Sequence, residues 1–342
     1  MSVGNTGSYL YKAYDHTGAN REDLQNWIAN ISPYDTPLGN TLGRTKARST
    51  YHEWLIDSLA AIASRGIVEG KDWGTAAHTA PTRPNNQTEI FLKDIMVTET
   101  QREINAAGFS DAYAYQVEKA TKEIMRERES ALMDSGSATT GASGTARVMK
   151  SLEDFITTTV MSPGTAAASN KYENLVNSTA AAAKMTEVDF NTMLQLIWTQ
   201  GGHTDLVVCG APYKRQISNF SANSKNTRYI SATEKELVVG VDLVDTDFGV
   251  VAIQLNRWSP ISTNTTSGTA CAATNKDLQG RIWFLERAKC RIAELRPLKH
   301  RLMGTRGDST VGQVVTECTL EVGNQAALGV MKGVNNKHTV SP

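Results

Sequence analysis

Residues 51–100 place the strongest constraint on what this chain can become. Two alternating runs lie at the ends of this stretch, and a turn-rich polar segment lies between them. In residues 51–64, Tyr51, Glu53, Leu55 and Asp57 fall on one face of a strand, and His52, Trp54 and Ile56 on the other. Neither face is purely apolar. Residues 89–98 set Ile90, Leu92 and Met96 against Phe91, Ile95 and Val97. Between them, residues 65–87 hold Gly66, Gly70, Gly74, Pro81, Pro84, Asn85 and Asn86, which mark turns and loop. The pattern predicts a long hairpin-like arm. A two-stranded ribbon is marginal in water and needs a surface to lie on. Periodicity alone leaves two surfaces open: the chain's own body, or another subunit.

The rest of the chain has the means to fold. Its 342 residues set a soft prior of two domains or one large one. Hydrophobic content is 40% and mean hydropathy is −0.33, enough for a real core. Lys plus Arg equals Asp plus Glu at 35 each, without the basic excess of a protein that binds nucleic acid by neutralising phosphates. No segment has the ~20 apolar residues that span a bilayer, so no membrane partner is expected. Residues 1–20 are polar, without the charged start and apolar run of a secretory signal. Cys209, Cys271, Cys290 and Cys318 form no CxxC pair and read as buried free thiols; Cys209 ends the apolar run Leu206-Val207-Val208.

Residues 1–50 alternate short apolar patches with Pro33, Pro37, Gly39 and Gly43, which predicts an extended arm. The best helix runs from a cap at Ser110 to a stop at Gly136, with Tyr113, Val117, Ala120, Ile124 and Ala131 near one stripe. About 25 residues at ~1.5 Å each make it roughly 37 Å long. Residues 135–146 read as a linker, 151–160 as a short element, and 162–183 as an exposed loop. A second helix spans 186–201, opened by a capping-box pattern at Thr186 and Asp189 and carrying Phe190, Met193, Leu194, Ile197 and Trp198 on one face. A buried strand at 206–209, a helix from Pro212 to Ile217 and strands at 237–244 and 250–255 complete a compact second unit. Residues 277–295 and 318–322 carry more strand signal, and the tail from 332 is expected to fray.

Chemistry is harder to find. The chain has no phosphate-binding loop, dinucleotide fingerprint, HExxH, calcium loop or nucleophile elbow, and its six histidines are scattered. No catalytic, cofactor-binding or metal-binding residue is assigned, and no enzyme activity or cofactor is expected. Arg306-Gly307-Asp308 spells an integrin-type tripeptide but reads as a Gly turn. Asn86, Asn177 and Asn264 stand in sequons and read as exposed polar residues. Residues 281–306 hold eight Arg or Lys against Glu286 and Glu294, which are expected to be ion-paired. This stretch suits contacts with acidic surfaces of neighbouring subunits, or with packaged DNA.

A series of segments carries a resemblance. Ile31-Ser32-Pro33-Tyr34-Asp35-Thr36-Pro37 leads, through the basic residues Arg44 to Arg48, into His52-Glu53-Trp54-Leu55-Ile56-Asp57-Ser58-Leu59. Glu69-Gly70, Arg83-Pro84-Asn85-Asn86-Gln87-Thr88 and Val97-Thr98-Glu99-Thr100-Gln101 follow. Later come Tyr115-Gln116, Gly201-Gly202, Asp247-Phe248-Gly249, Leu295-Arg296-Pro297 and Glu317-Cys318-Thr319-Leu320-Glu321. The series resembles the SU10-type major head proteins of tailed bacteriophages, over nearly the whole chain. The resemblance implies an α+β HK97-type capsid fold and a protein that self-assembles into an icosahedral head shell around double-stranded DNA. It implies an N-terminal arm (1–50), an extended β-hairpin loop over a neighbour (51–107), a peripheral domain with a long spine helix (108–185), an axial domain (186–275) and return strands of the peripheral domain (276–342). The implied partners are copies of itself in hexamers and pentamers, a portal, separate scaffold or decoration proteins, and DNA contacted non-specifically, in a virion assembled in the host cytoplasm. Candidate intersubunit contacts are Trp54, Arg65, Glu69, Lys71, Arg83, Lys289, Arg291, Arg296 and Arg301. Lys71 is the loop lysine that some relatives cross-link; no acid partner is identified for it. The helical scaffold segment that some relatives carry before the arm is expected to be missing here, since the arm starts near Met1. The alternatives are an encapsulin-like compartment shell, or a receptor-binding or decoration module rich in strands and lacking the long helix. Residues 65–87 are read as the mobile tip.

Overall fold

The computed structural model describes residues 25–26, 28–29, 31–59, 69–70, 72, 80–133, 138–156, 160–161, 185–223, 242–258 and 280–334. The described elements begin with helix α1 (Pro37–Thr41) and strands β1 (Gly43–Lys46), β2 (Tyr51–Glu53), β3 (Asn85–Gln87) and β4 (Glu89–Thr98). Helices α2 (Glu99–Glu103), α3 (Ala112–Met133) and α4 (Leu152–Phe155) follow, then β5 (Val160–Met161), α5 (Glu187–Thr199), β6 (Leu206–Cys209) and α6 (Ala211–Asn223). The chain continues through β7 (Leu243–Thr246), β8 (Gly249–Leu255), β9 (Gly280–Leu285), β10 (Cys290–Thr305), β11 (Ser309–Val322) and β12 (Gly329–Val334).

These strands form a four-stranded sheet in the order β1-β10-β11-β4, a six-stranded sheet in the order β5-β12-β9-β6-β8-β7, and a short ribbon of β2 with β3. The spine helix α3 lies on the four-stranded sheet. It starts at Asp111, not at Ser110: the Asp111 carboxylate accepts the Tyr113 N–H at 2.9 Å, and its carbonyl accepts the Tyr115 N–H. Ala120, Ile124, Leu132 and Met133 are buried along the helix. They pack against Phe91, Ile95 and Val97 of β4, the residues that alternation put on one face.

Burial explains why β6 reads as an unbroken apolar run. Leu206 and Val208 face the core shared with the four-stranded sheet, and Val207 and Cys209 face a second core under α5 and α6. A strand covered on both faces has no wet side to alternate with. Helix α5 carries its capping box as read: the Thr186 side chain accepts the Asp189 N–H, and the Asp189 carboxylate accepts the Thr186 N–H.

Three expectations change. The run at 89–98 is a strand but does not pair with the run at 51–64; β4 pairs antiparallel with β11 along its full length, Glu89 to Cys318 through Thr98 to Ser309. The ribbon's second leg is β3, and the first leg shrinks to β2 plus a bridge from Ile56 to Thr82. The six-stranded sheet also draws β9 and β12 from beyond residue 275, on either side of the β10–β11 hairpin. Of the strand read at 237–244, only its end lies among the described residues; 60–64, the loop at 162–183 and the tail after 334 lie outside them.

Candidate assembly surface

The root of the ribbon is clamped to its own body. The Trp54 indole N–H donates to the Val322 carbonyl at 2.7 Å, and His52 Nε2 lies 3.0 Å from Glu321 Oε2. Trp54 also stacks obliquely on Phe155 of α4. Beside it sits Asn86, fully buried and not the exposed polar residue its sequon suggested. Its Nδ2 donates to the carbonyls of Leu320 and Lys150, and its Oδ1 accepts the N–H groups of Gln87 and Lys150. Every hydrogen-bonding position of that amide is used. Thr88 then donates to Glu317, a buried carboxylate that also accepts from Arg147 and Arg296 at 2.7 Å each. The tip read as 65–87 therefore ends before β3. Asn177 and Asn264 lie outside the described residues.

Outward from this root the ribbon is two-sided. His52, Trp54 and Ile56 turn toward the body. Tyr51, Glu53, Leu55, Asp57 and Leu59 turn to solvent, with Leu55 67% and Leu59 98% exposed. Upstream, Ile31 is 99% exposed on a segment that belongs to no helix or strand. Leu55 and Leu59 are thus two bare apolar side chains four residues apart on the ribbon.

Helix α1 is held by a catch that the residue pattern did not reveal. The buried Glu129 of α3 accepts the N–H groups of Leu38 and Gly39 at 2.7 Å and the Asn256 Nδ2 at 2.6 Å. Burial pushes its carboxyl above the ordinary range, against the lowering effect of those three donors and of Arg128. Gly39 lies close against this carboxylate: a Cβ there would stand 3.0 Å from Glu129 Oε2, so the side chain would have to give way. Arg128, 2% exposed, reaches Glu294 at 3.8 Å, and Arg44 of β1 reaches the same carboxylate at 3.2 Å. The acid–base neighbours Arg128 and Glu129 sit in a helix whose charges read as a wet face. No spacing rule separates a charge that caps an arm from one that faces water.

The candidate contact residues scatter. Arg83 lies 3.6 Å from Glu53 across the ribbon, and Arg296 pairs with Glu317. Within the basic stretch, Arg281 pairs with Glu153 and Arg287 with Asp205, so part of that charge is balanced inside the subunit; Glu294 is ion-paired as expected. Glu69, Lys289, Arg291 and Arg301 are exposed. Arg65 and Lys71 lie outside the described residues. Arg306-Gly307-Asp308 is a turn between β10 and β11, with Gly307 at φ +62° and the Arg306 N–H bonded to the Ser309 carbonyl.

The outer face of the four-stranded sheet, away from α3, is ordered by register. One row across it is Leu92, Val315 and Lys299, the next is Asp94, Gln313 and Arg301, and a third is Met96, Val311 and Gly304. Met96 is 67% exposed. Cys209, Cys290 and Cys318 are free and buried, their thiols pushed up to about 12 by burial; Cys271 lies outside the described residues. Among the described residues no three His, Cys, Asp or Glu converge to hold a metal.

Comparison with known proteins adds the following. The model of the SU10 major capsid protein matches residues 6–335. The major capsid protein of Escherichia phage Phieco32 is 23% identical over 287 residues, 73% of this chain and 81% of that one. The cyanophage A-1(L) capsid is similar in structure at a TM-score of 0.62 and 11% identity, over 95% of this chain and 99% of that chain. The SrpI encapsulin of Synechococcus elongatus PCC 7942 is similar at 0.57 and 12% identity, over 97% and 99%.

Proposed function

Since the chain belongs to the SU10 major capsid protein family, it is a phage capsid subunit of HK97-type fold, and we propose that each copy is tied to the next by its ribbon. The observation that carries this is the ribbon's two-sidedness: an inner edge bonded to its own sheet and an outer edge of bare Leu55 and Leu59. The bare leucines are apolar side chains left on the side that faces away from the chain's own body.

In this reading residues 1–50 are an arm, 51–88 the intersubunit loop, and α3 with the four-stranded sheet the peripheral domain. The six-stranded sheet with α5 and α6 is the axial domain, with β9 and β12 added to it. Arg65, Glu69, Lys71 and Arg83 near the ribbon's tip, and Lys289, Arg291 and Arg301 on the body, are contact residues. Trp54 and Arg296 act by holding the ribbon's root. A portal, scaffold or decoration proteins and packaged DNA are partners, assembly takes place in the host cytoplasm, and the protein is not an enzyme. A decoration module is disfavoured by the 22-residue α3. The likeness to an encapsulin is one of fold and gives the compartment reading no support of its own.

The test is to remove residues 65–79 and to image the purified protein by negative stain. Folded subunits with unchanged circular dichroism and no closed shells are expected. Shells in normal number would sink the reading.

A further inference from the structure

We propose that the free edge of the four-stranded sheet, at Arg44, Lys46 and Arg48, binds the phosphates of double-stranded DNA. This inference rests on the reading of packaged DNA as a partner and names the surface that meets it.

The geometry starts from the strand. Arg44 and Lys46 share one side of β1, about 6.6 Å apart in a strand of this kind, and Arg48 follows at the same interval in sequence. β1 is the last strand of its sheet. It pairs parallel with β10 on one edge, and among the described residues no strand lies on the other. The Ala47 N–H bonds inward, to the Glu294 carbonyl at 3.0 Å. N–H directions alternate along a strand, so those of Arg44 and Lys46 point out of the open edge. Each of these two residues offers a cationic side chain and a backbone N–H at one edge. Those are two kinds of donor that hold phosphate oxygens.

The charge is not cancelled inside the subunit. All three side chains are exposed. Among the described residues, Glu294 is the one carboxylate within ion-pair reach of them. It lies 3.2 Å from Arg44 and is shared with the buried Arg128 at 3.8 Å, two cations on one acid. Lys46 and Arg48 carry no ion pair among the described residues. The chain as a whole is neutral, with 35 charges of each sign, so it has no general attraction for a polyanion. A phosphate backbone is held only where cations outnumber acids locally. An acidic surface of a neighbouring copy is the competing partner, and the strip suits it poorly. From Gly43 to Thr50 the only apolar side chain is Ala47, 1% exposed, so nothing there fills the core of a protein interface, where lysine is depleted as well.

The test compares two double variants of the full-length protein. Lys46→Gln with Arg48→Gln strips the edge and spares Arg44, which holds Glu294. Lys299→Gln with Arg301→Gln removes the same charge from another part of the sheet. Binding of a short fluorescent DNA duplex is followed by anisotropy across a salt series. The edge variant should bind about tenfold more weakly at low salt, and its slope of log K against log salt should be shallower by about two. The control should keep the parent's slope. Both pairs of sites are exposed, so thermal midpoints should match the parent. Equal losses in the two variants mean diffuse attraction and overturn the inference. Parental DNA binding by the edge variant overturns it too: lost shells would then assign the strip to an acidic neighbour, and new aggregation would assign it to guarding a sheet edge. If the parent binds no duplex even at low salt, the reading of DNA as a partner fails with it.

Discussion

Replacing Asn86 with alanine removes two donated and two accepted hydrogen bonds at a fully buried site. Backbone groups of Gln87, Lys150 and Leu320 would be left without their partner, so a loss of about 2–4 kcal/mol is expected in urea unfolding. Glu129 gives a pH dependence. Its carboxyl is raised by burial, so above the ordinary carboxylate range the folded chain holds a proton that the unfolded chain has lost. The contribution of this group to stability therefore falls as pH rises through that window. Glu129→Gln should flatten that slope when urea midpoints are followed against pH; an unchanged slope would count against it. The thiols make the third test at this scale. With Cys209, Cys290 and Cys318 pushed up to about 12, almost none is thiolate at neutral pH. An alkylating reagent at pH 8 should label these three positions, identified by peptide mass, only after denaturant is added. None of the three residues at Asn86, Glu129 and Glu317 was legible as a hub, because all but one of the hydrogen-bond partners named for them, the Gln87 N–H, lie tens to hundreds of positions away.

Elements were read more easily than their pairings. The α5 helix came complete with its box at Thr186 and Asp189, since a cap is a local device; Thr186→Ala should cost about 1 kcal/mol. Helix α3 was legible from its stripe, and its apolar centre Ile124 is fully buried, so Ile124→Ala should cost about 2–5 kcal/mol in the same unfolding assay. The β4 strand shows the limit. Alternation correctly separated Phe91, Ile95 and Val97 from Ile90, Leu92 and Met96, but periodicity describes a strand's faces and is silent on its edges. The partner is chosen by register with β11, more than 200 residues later. The nearer run at 51–64 competes for it and loses. It is seated instead by Trp54 and by β3.

At the scale of the whole molecule, the series of segments along the chain was enough to expect a capsid fold. The division of strands between sheets was not legible, because β9 and β10 are separated only by a single 3-10 turn, Arg287–Lys289. One strand serves the six-stranded sheet and the next serves the four-stranded one. The return path, from β11 to β12, crosses at the same place, and the two crossings are bonded to each other by the Gly323 N–H and the Lys289 carbonyl at 2.7 Å. In mechanical terms these are paired tendons. A wall stretched from within carries its load as tension along the subunit. Here that load passes from one sheet to the other through two neighbouring runs of covalent backbone, before any packed interface between the sheets has to bear it.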